Sequence, residues 1–453
     1  MTLTRERIPD VRPLAVDLFA GAGGMSLGFE QAGFDVCAAV EIDPVHCAVH
    51  KFNFPNTAVL AASVQKVSGA DIRESAGLGD SPIDCVFGGP PCQGFSLIGQ
   101  RVFDDPRNRL VLDFVRIVRE LDARTFVFEN VKGLTVGKHR QFLGELVASF
   151  QAAGYEVRLP WMVLNAGNFG VPQSRERFIL MGAKKGGRLP DYPAPTTNIA
   201  GRLPSFPGLP IGPTCTDAIG DLPDAEMFDE LLWSDAVHTT DLRSPSAYSA
   251  KLRAMGDAVW GFGHARAFDP RVMTSSARTD HTDISRRRFQ ETAPGSVEPI
   301  SRFFRLPPDG VSNTLRAGTD GARGAFTSPR PIHYQHTRCI TVREMARLHG
   351  FPDWFRLHST KWHGARQIGN AVPPPLARAI AAQVLISLDV HPRRAEGILP
   401  LGDPALLSLD STHAAAFFGV NGPNTRRDRR SGARKRKQSE IEEARTGLVI
   451  AHG

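Results

Sequence analysis

The chain has 453 residues, 42% of them hydrophobic and 22% charged, which allows two domains and is ordinary for a water-soluble globular protein. No apolar run approaches the roughly 20 residues of a membrane span, and residues 1–13 are polar and charged rather than a secretion signal, so an intracellular protein is expected. The formal charge of +7 is concentrated at the end: nine Lys/Arg face four Asp/Glu from Asn424 onward. The body is therefore only about +2, and basicity alone does not identify a nucleic-acid enzyme.

Residues 14–19 read as a strand, 23–32 as a helix, 36–40 as the next strand and 44–52 as a second helix. The apolar runs 83–87 and 125–128 are two further strands, with helical spacing between them at Leu110, Val111, Phe114, Val115, Ile117 and Val118. A helix over 141–153 and a strand over 177–183 follow. Strands alternating with helices predict a mostly parallel sheet covered on both faces, an α/β fold. The pattern stops after Lys185. Residues 186–331 are rich in Pro, Gly, Ser, Thr and Asp, with scattered arginines, and are too long for a loop; they are expected to form a second, irregular domain. Helical spacing returns at 341–349 and 375–388. The clusters Arg426 to Arg430 and Arg434 to Lys437 read as a disordered basic tail.

Two loops carry chemistry. Asp17-Leu18-Phe19-Ala20-Gly21-Ala22-Gly23-Gly24 follows the first strand and opens the first helix, where glycines allow close approach of a ligand to the backbone. Glu41 ends the second strand, placed for an acidic side chain to take ribose hydroxyls. A dinucleotide fingerprint would need glycine at Ser26, so a ligand with a ribose but no pyrophosphate fits better, and S-adenosylmethionine is such a ligand. The second loop, Phe87-Gly88-Gly89-Pro90-Pro91-Cys92-Gln93-Gly94-Phe95-Ser96, sets one cysteine behind a rigid Pro-Pro pair at a strand end. Taken alone, such a cysteine is more often buried and inert than nucleophilic. The other cysteines, Cys37, Cys47, Cys85, Cys215 and Cys339, form no C-x-x-C pair and no zinc spacing, so reduced thiols and no metal are expected.

With these loops in order, the chain resembles the cytosine-C5 DNA methyltransferase family over most of its length. The blocks that carry the resemblance are 17–28, 88–96, Arg107-Asn108-Arg109-Leu110 and Glu129-Asn130-Val131. Gln173-Ser174-Arg175-Glu176-Arg177, 341–350 and Gln367-Ile368-Gly369-Asn370-Ala371-Val372-Pro373 complete the series. The resemblance implies a Rossmann-like catalytic and cofactor-binding domain over 1–185 and a target-recognition domain over 186–331. It further implies a return segment over 332–390 and a C-terminal extension over 391–453. It implies Cys92 as the nucleophile adding to cytosine C6, with Glu129 at N3, Arg177 at O2, and Arg175, Asn130 and Gln93 shaping the pocket. The implied cofactor is S-adenosylmethionine, held by Asp17, Phe19, Ala20, Gly21, Gly23, Gly24, Glu41, Ile42, Ser63, Pro90, Leu110 and Asn370. Ser63 stands where the family usually has an acidic residue for the adenine amine. Ser96, Thr314, Leu315 and Arg316 are the implied DNA contacts. A monomeric bacterial enzyme acting in the cytoplasm on double-stranded DNA, with a cognate restriction endonuclease as companion, is the expectation. An RNA methyltransferase on the same scaffold, a catalytically dead DNA-binding protein and a nicotinamide oxidoreductase are the alternatives. The long 186–331 region speaks against the first, intact Cys92, Glu129 and Arg177 against the second, and Ser26 against the third.

Overall fold

The computed structural model describes residues 12–91, 109–135, 139–319, 327 and 329–422. Five consecutive parallel strands form its centre: β1 Leu14–Leu18, β2 Asp35–Glu41, β3 Ala58–Ala61, β4 Cys85–Gly88 and β5 Thr125–Val131. They are followed by β6 Tyr155–Val157, β7 Met162–Asn165 and the long β8 Glu176–Lys184. The order is β3-β2-β1-β4-β5-β8-β6, with β7 also paired to β8. β8 runs antiparallel to β5, with Glu129 opposite Ile179 and Val131 opposite Arg177. A parallel sheet covered on both faces needs continuous apolar strands rather than alternating ones, and Leu14–Leu18 and Cys85–Gly88 have that character, with β4 buried throughout.

One face is covered by α1 Gly24–Ala32 and, from the far end of the chain, α11 Pro374–Ser387. Phe29 stacks on Phe87 at 3.7 Å between ring centroids, with Leu376, Ile380 and Val384 in the same cluster. The helices meet closely because Gly28 leaves no room for a Cβ against Ala377 and Pro374. Helix α2 Pro44–Asn53 lies beside α1, its His50 reaching Ser26, and the other face carries α3 Gly69–Ser75, α4 Arg109–Glu120 and α5 His139–Ala152. There Phe126 stacks on Phe150 at 3.7 Å, and Phe114 meets Phe128 edge to face. Each such buried ring stabilises the fold by about 1.5–3 kcal/mol. Asp43 starts α2 by accepting Val45 N–H at 3.0 Å, and Pro44 fills the first helical position, where its missing N–H costs nothing.

Residues 186–331 contain α6 Cys215–Ile219, α7 Ala247–Leu252 and α8 Asp283–Glu291 among turns and two-residue strands. Their apolar residues share one cluster with α2 and with α9 Val342–His349. Buried arginines join the same parts: Arg347 pairs with Asp221 at 2.8 Å and Asp353 at 2.6 Å, and Arg338 with Glu344 at 2.9 Å and Asp224 at 2.8 Å. The sequence reading has no helix over α10 Lys361–Asn370, whose two glycines blur the periodicity. Gly364 is there because a Cβ would stand 2.9 Å from a Val342 methyl of α9. Residues 391–422 are packed: Ile398–Leu399 pairs with Ala265–Arg266, Gly402 N–H donates to Phe52 C=O at 2.8 Å, and α12 Ser411–Phe417 lies on α2. The basic run beyond Asn424 lies outside the described residues. No helix among the described residues is long and apolar enough to cross a membrane.

Candidate functional site

The strand order reverses between β1 and β4, and a crevice outside the carboxyl ends of such strands is where open α/β sheets bind ligands. The described candidates on the loops after β1 to β5 reach this one edge. After β1, Phe19 adopts φ 62°, an uncommon left-handed backbone for a side chain of its size, and is half-buried. Gly21 also has positive φ, with open space where a Cβ would be. Its N–H donates to Glu41 Oε2 at 2.9 Å, while Oε1 accepts Asp43 N–H at 2.9 Å. Each carboxylate oxygen retains acceptor capacity, so Glu41 can hold a pair of hydroxyls without giving up the loop. Ile42 beside it is 69% exposed, an apolar side chain facing outward at the cleft. Ser63 follows β3 and accepts Gln65 N–H at 3.3 Å.

Asp17 does not face the cleft. Its carboxyl lies 1% exposed behind the loop and accepts Ser26 Oγ–H at 2.6 Å, and Ser26 Oγ stands 3.0 Å from His50 Nε2. Burial pushes Asp17 up to about 8 and His50 down to about 3, so both are neutral at pH 7. Ser26, which breaks the dinucleotide pattern, is thus a bridge inside the protein.

After β4 and β5 comes the densest chemistry. Glu129 and Arg177, across the antiparallel β5–β8 pair, form a buried ion pair with Arg177 Nε 2.8 Å from Glu129 Oε1. Burial raises the Glu129 carboxyl above its ordinary range against the pull of Arg177 and Arg175, and lowers the Arg177 guanidinium. Arginine stays protonated regardless. The carboxyl is therefore easier to protonate than a surface glutamate while still tethered to a cation. Asn130 Nδ2 donates to Pro90 C=O at 2.9 Å and its Oδ1 accepts Val131 N–H at 2.9 Å, fixing the turn into Pro91. Cys92, Gln93 and Ser96 lie outside the described residues. The five described cysteines are free thiols. Burial holds them protonated, with Cys85 pushed up to about 12 and Cys37 and Cys339 to about 11, the opposite of what a thiolate nucleophile needs.

Arg175 is fully buried, and its guanidinium is taken up by backbone: Nη1 donates to Leu315 C=O at 2.9 Å, Nη2 to Gly369 and Ala371 C=O at 2.8 Å each. Thr314 Oγ donates to Ser174 C=O at 2.8 Å, so Thr314 and the buried Leu315 are seated beside β8 of the central sheet, whereas Arg316 is exposed. Asn370, at the end of α10, is exposed between the two carbonyls that Arg175 holds, and Leu110 is half-buried in the first turn of α4. Two partners are missing from the sequence reading. Gln173 accepts Leu315 N–H at 3.1 Å and bonds His349 Nδ1 at 2.9 Å. The alternation of Gln173, Arg175 and Arg177 is the signal that could have singled out Gln173; His349 carries no such signal.

A family model described as C-5 cytosine-specific DNA methylase matches residues 15–385. Over 410 residues the chain is 57% identical to the Type II methyltransferase M.XorII of Xanthomonas oryzae pv. oryzae, covering 90% of this chain and 93% of that protein. It is 34% identical over 380 residues to the Type II methyltransferase M1.HphI of Haemophilus parahaemolyticus, covering 82% and 86%. A solved E. coli chain, described as a prophage-encoded DNA modification methyltransferase, superposes with a TM-score of 0.66 at 32% identity. That match covers 83% of this chain and all of the other.

Proposed function

The chain belongs to the C-5 cytosine-specific DNA methylase family, and from that premise we propose that it methylates C5 of a flipped-out cytosine at a specific duplex site through a covalent Cys92–C6 intermediate. The observation that carries this reading is the buried Glu129–Arg177 pair directly beneath the Pro90–Pro91 turn that leads into Cys92. Cytosine C5 is a weak nucleophile. Addition of the Cys92 thiolate to C6 makes C5 enamine-like and places negative charge on the ring, which the Glu129 proton relieves at N3. Arg177, holding Glu129 in place, presents its charge toward O2. With a methyl group on C5, loss of the C5 proton to a base, elimination of the Cys92 thiolate and return of the N3 proton to Glu129 would restore the aromatic ring. Extruding the base costs a few kcal/mol, recovered by contacts in this pocket.

The residues present fit S-adenosylmethionine: an open glycine turn, a carboxylate with free acceptor capacity and an exposed apolar neighbour stand at one sheet edge. Phe19 and Ile42 would take the adenine, Glu41 the ribose and Asn370 the methionine end, and Ser63 replaces a charged adenine partner by a hydroxyl. The bound cofactor would supply the methyl group on a sulfonium. Thr314 to Arg316 would face DNA, with bases read by the irregular 186–331 region. The Type II names of the relatives support a protective role in a bacterial restriction–modification pair; on this reading the enzyme acts as a monomer in the cytoplasm. The test is methyl-labelled S-adenosylmethionine with unmethylated duplex DNA and transfer RNA together. Label recovered as 5-methylcytosine in DNA is expected; label in RNA alone would overturn the substrate, and no label from folded protein would overturn the activity.

A further inference from the structure

Arg175 carries its charge where water does not reach, and its side-chain hydrogen bonds go to backbone carbonyls. Burying a charge is costly unless hydrogen bonds compensate it, so the three carbonyls are held firmly. They belong to segments 140, 194 and 196 residues away in sequence: Leu315 in the recognition region, and Gly369 and Ala371 on either side of Asn370. Gln173 works in parallel. Its Oε1 accepts Leu315 N–H at 3.1 Å and its Nε2 lies 2.9 Å from His349 Nδ1, while His349 Nε2 lies 3.1 Å from Ala371 C=O. The neutral tautomer with its hydrogen on Nε2 satisfies both contacts, and burial keeps His349 neutral.

The joint continues in both directions. Toward the cofactor cleft, a Cβ on Gly24 would stand 2.6 Å from Val372 C=O and 2.9 Å from the Ala371 methyl. The end of the glycine turn and the segment after Asn370 are therefore closely packed against each other. Toward the recognition region, Gly369 is pressed against the Arg316–Ala317 backbone. Ser312 exchanges backbone bonds with Pro172 and Ser174 at 2.9 and 2.8 Å.

We infer that Gln173 and Arg175 are positioning residues that couple cofactor binding at the glycine turn to ordering of the recognition segment 312–317. The inference rests on the proposed reading that S-adenosylmethionine binds at that turn. A cofactor touching Gly21, Glu41 and Asn370 selects the arrangement in which the Asn370 turn is docked. That arrangement is the one in which the carbonyls and Leu315 are in reach of Arg175 and Gln173. By linkage, DNA held by 312–317 favours cofactor binding by the same factor.

Hydrogen exchange on the full chain, with and without S-adenosylhomocysteine and with no DNA present, tests this. The expected result is slower exchange at 20–24 and 41–43, and also slowing of about fivefold or more at 312–317. In Arg175→Lys and in Gln173→Ala the slowing at the glycine turn persists, while that at 312–317 falls below about twofold. If the wild-type chain slows at the turn but not at 312–317, the coupling is overturned while the cofactor reading stands. If both variants keep the full effect, the assignment to these residues is overturned. Absence of slowing anywhere overturns the cofactor reading and the coupling together. Should one variant fail to fold, the other decides the assignment, and the wild-type comparison decides the coupling.

Discussion

Gly89→Ala is the sharpest perturbation the structure offers, because it adds one methyl group at the carboxyl edge of the sheet without removing or adding a polar group. Gly89 does not use a left-handed backbone, so alanine fits its conformation. The space is what fails: the added Cβ would lie well inside 3.0 Å of Glu129 Oε2, closer than real Cβ atoms come. Glu129 cannot swing freely away, since its other oxygen is tied to Arg177 at 2.8 Å and the pair is buried. Relief therefore requires the carboxylate to retreat by about half an ångström or more, or the Pro90 turn to lift by a similar amount. Misplacement on the order of 1 Å costs about 10²-fold in rate, near 2.7 kcal/mol of barrier. Overpacking itself destabilises by about 1–3 kcal/mol, a range a folded chain of this size can absorb. Single-turnover methyl transfer should fall about 10²-fold, with S-adenosylhomocysteine affinity within about twofold of wild type, since Glu41 and Gly21 are untouched. A folded variant with the wild-type single-turnover rate would refute the idea that the Glu129–Arg177 pairing positions the chemistry.

Further expectations follow from other parts of the chain. Cys92→Ser should abolish transfer while leaving cofactor and duplex binding intact; any wild-type-like turnover in it excludes a covalent route. Asp17 is raised to about 8, so between its unfolded value near 3.8 and 8 the native state keeps a proton that the unfolded chain has released. Its contribution to stability is full below pH 3.8 and is lost as pH rises toward 8. His50, lowered to about 3, is neutral in both states above its unfolded value of 6.5. From there to pH 8, Asp17 should therefore lower stability by at most about 1.4 kcal/mol per pH unit. Urea unfolding across that window should show Asp17→Asn losing less stability than wild type, and parallel slopes would show that Asp17 ionises normally. Ending the chain at residue 422 removes a surplus of five positive charges. That should flatten the plot of log affinity against log salt for nonspecific duplex by up to about four units; an unchanged slope means the tail does not engage phosphates.

The parts of the fold that the sequence made legible are those where one local rule decides the outcome. Short apolar runs such as Ile83 to Phe87, bounded by glycines and prolines, favour covered strands over helices, and the glycine-rich turn and the Pro-Pro pair mark strand ends by the backbone angles they require. β3, β6 and β7 were not singled out by the sequence pattern, and they owe their place to pairing with β2 and β8. The site divides in the same way. Glu129 and Arg177 could be read singly, but their pairing depends on β8 running antiparallel beside β5, a long-range fact. Asp17 shows the limit from the other side. It sits inside a binding motif, yet desolvation decides its role, and nothing in Asp17-Leu18-Phe19 announces that Ser26 and His50 will close over it. Arg175 belongs to the same category: one residue apart, Arg175 and Arg177 share a motif and a charge, but one meets a carboxylate and the other three backbone carbonyls. Chemistry written into neighbouring letters is thus allotted by the partners that distant segments bring. Residues 312–317 and the Asn370 turn reach Arg175 because the chain, after its irregular excursion, returns to the central sheet with α11 on α1.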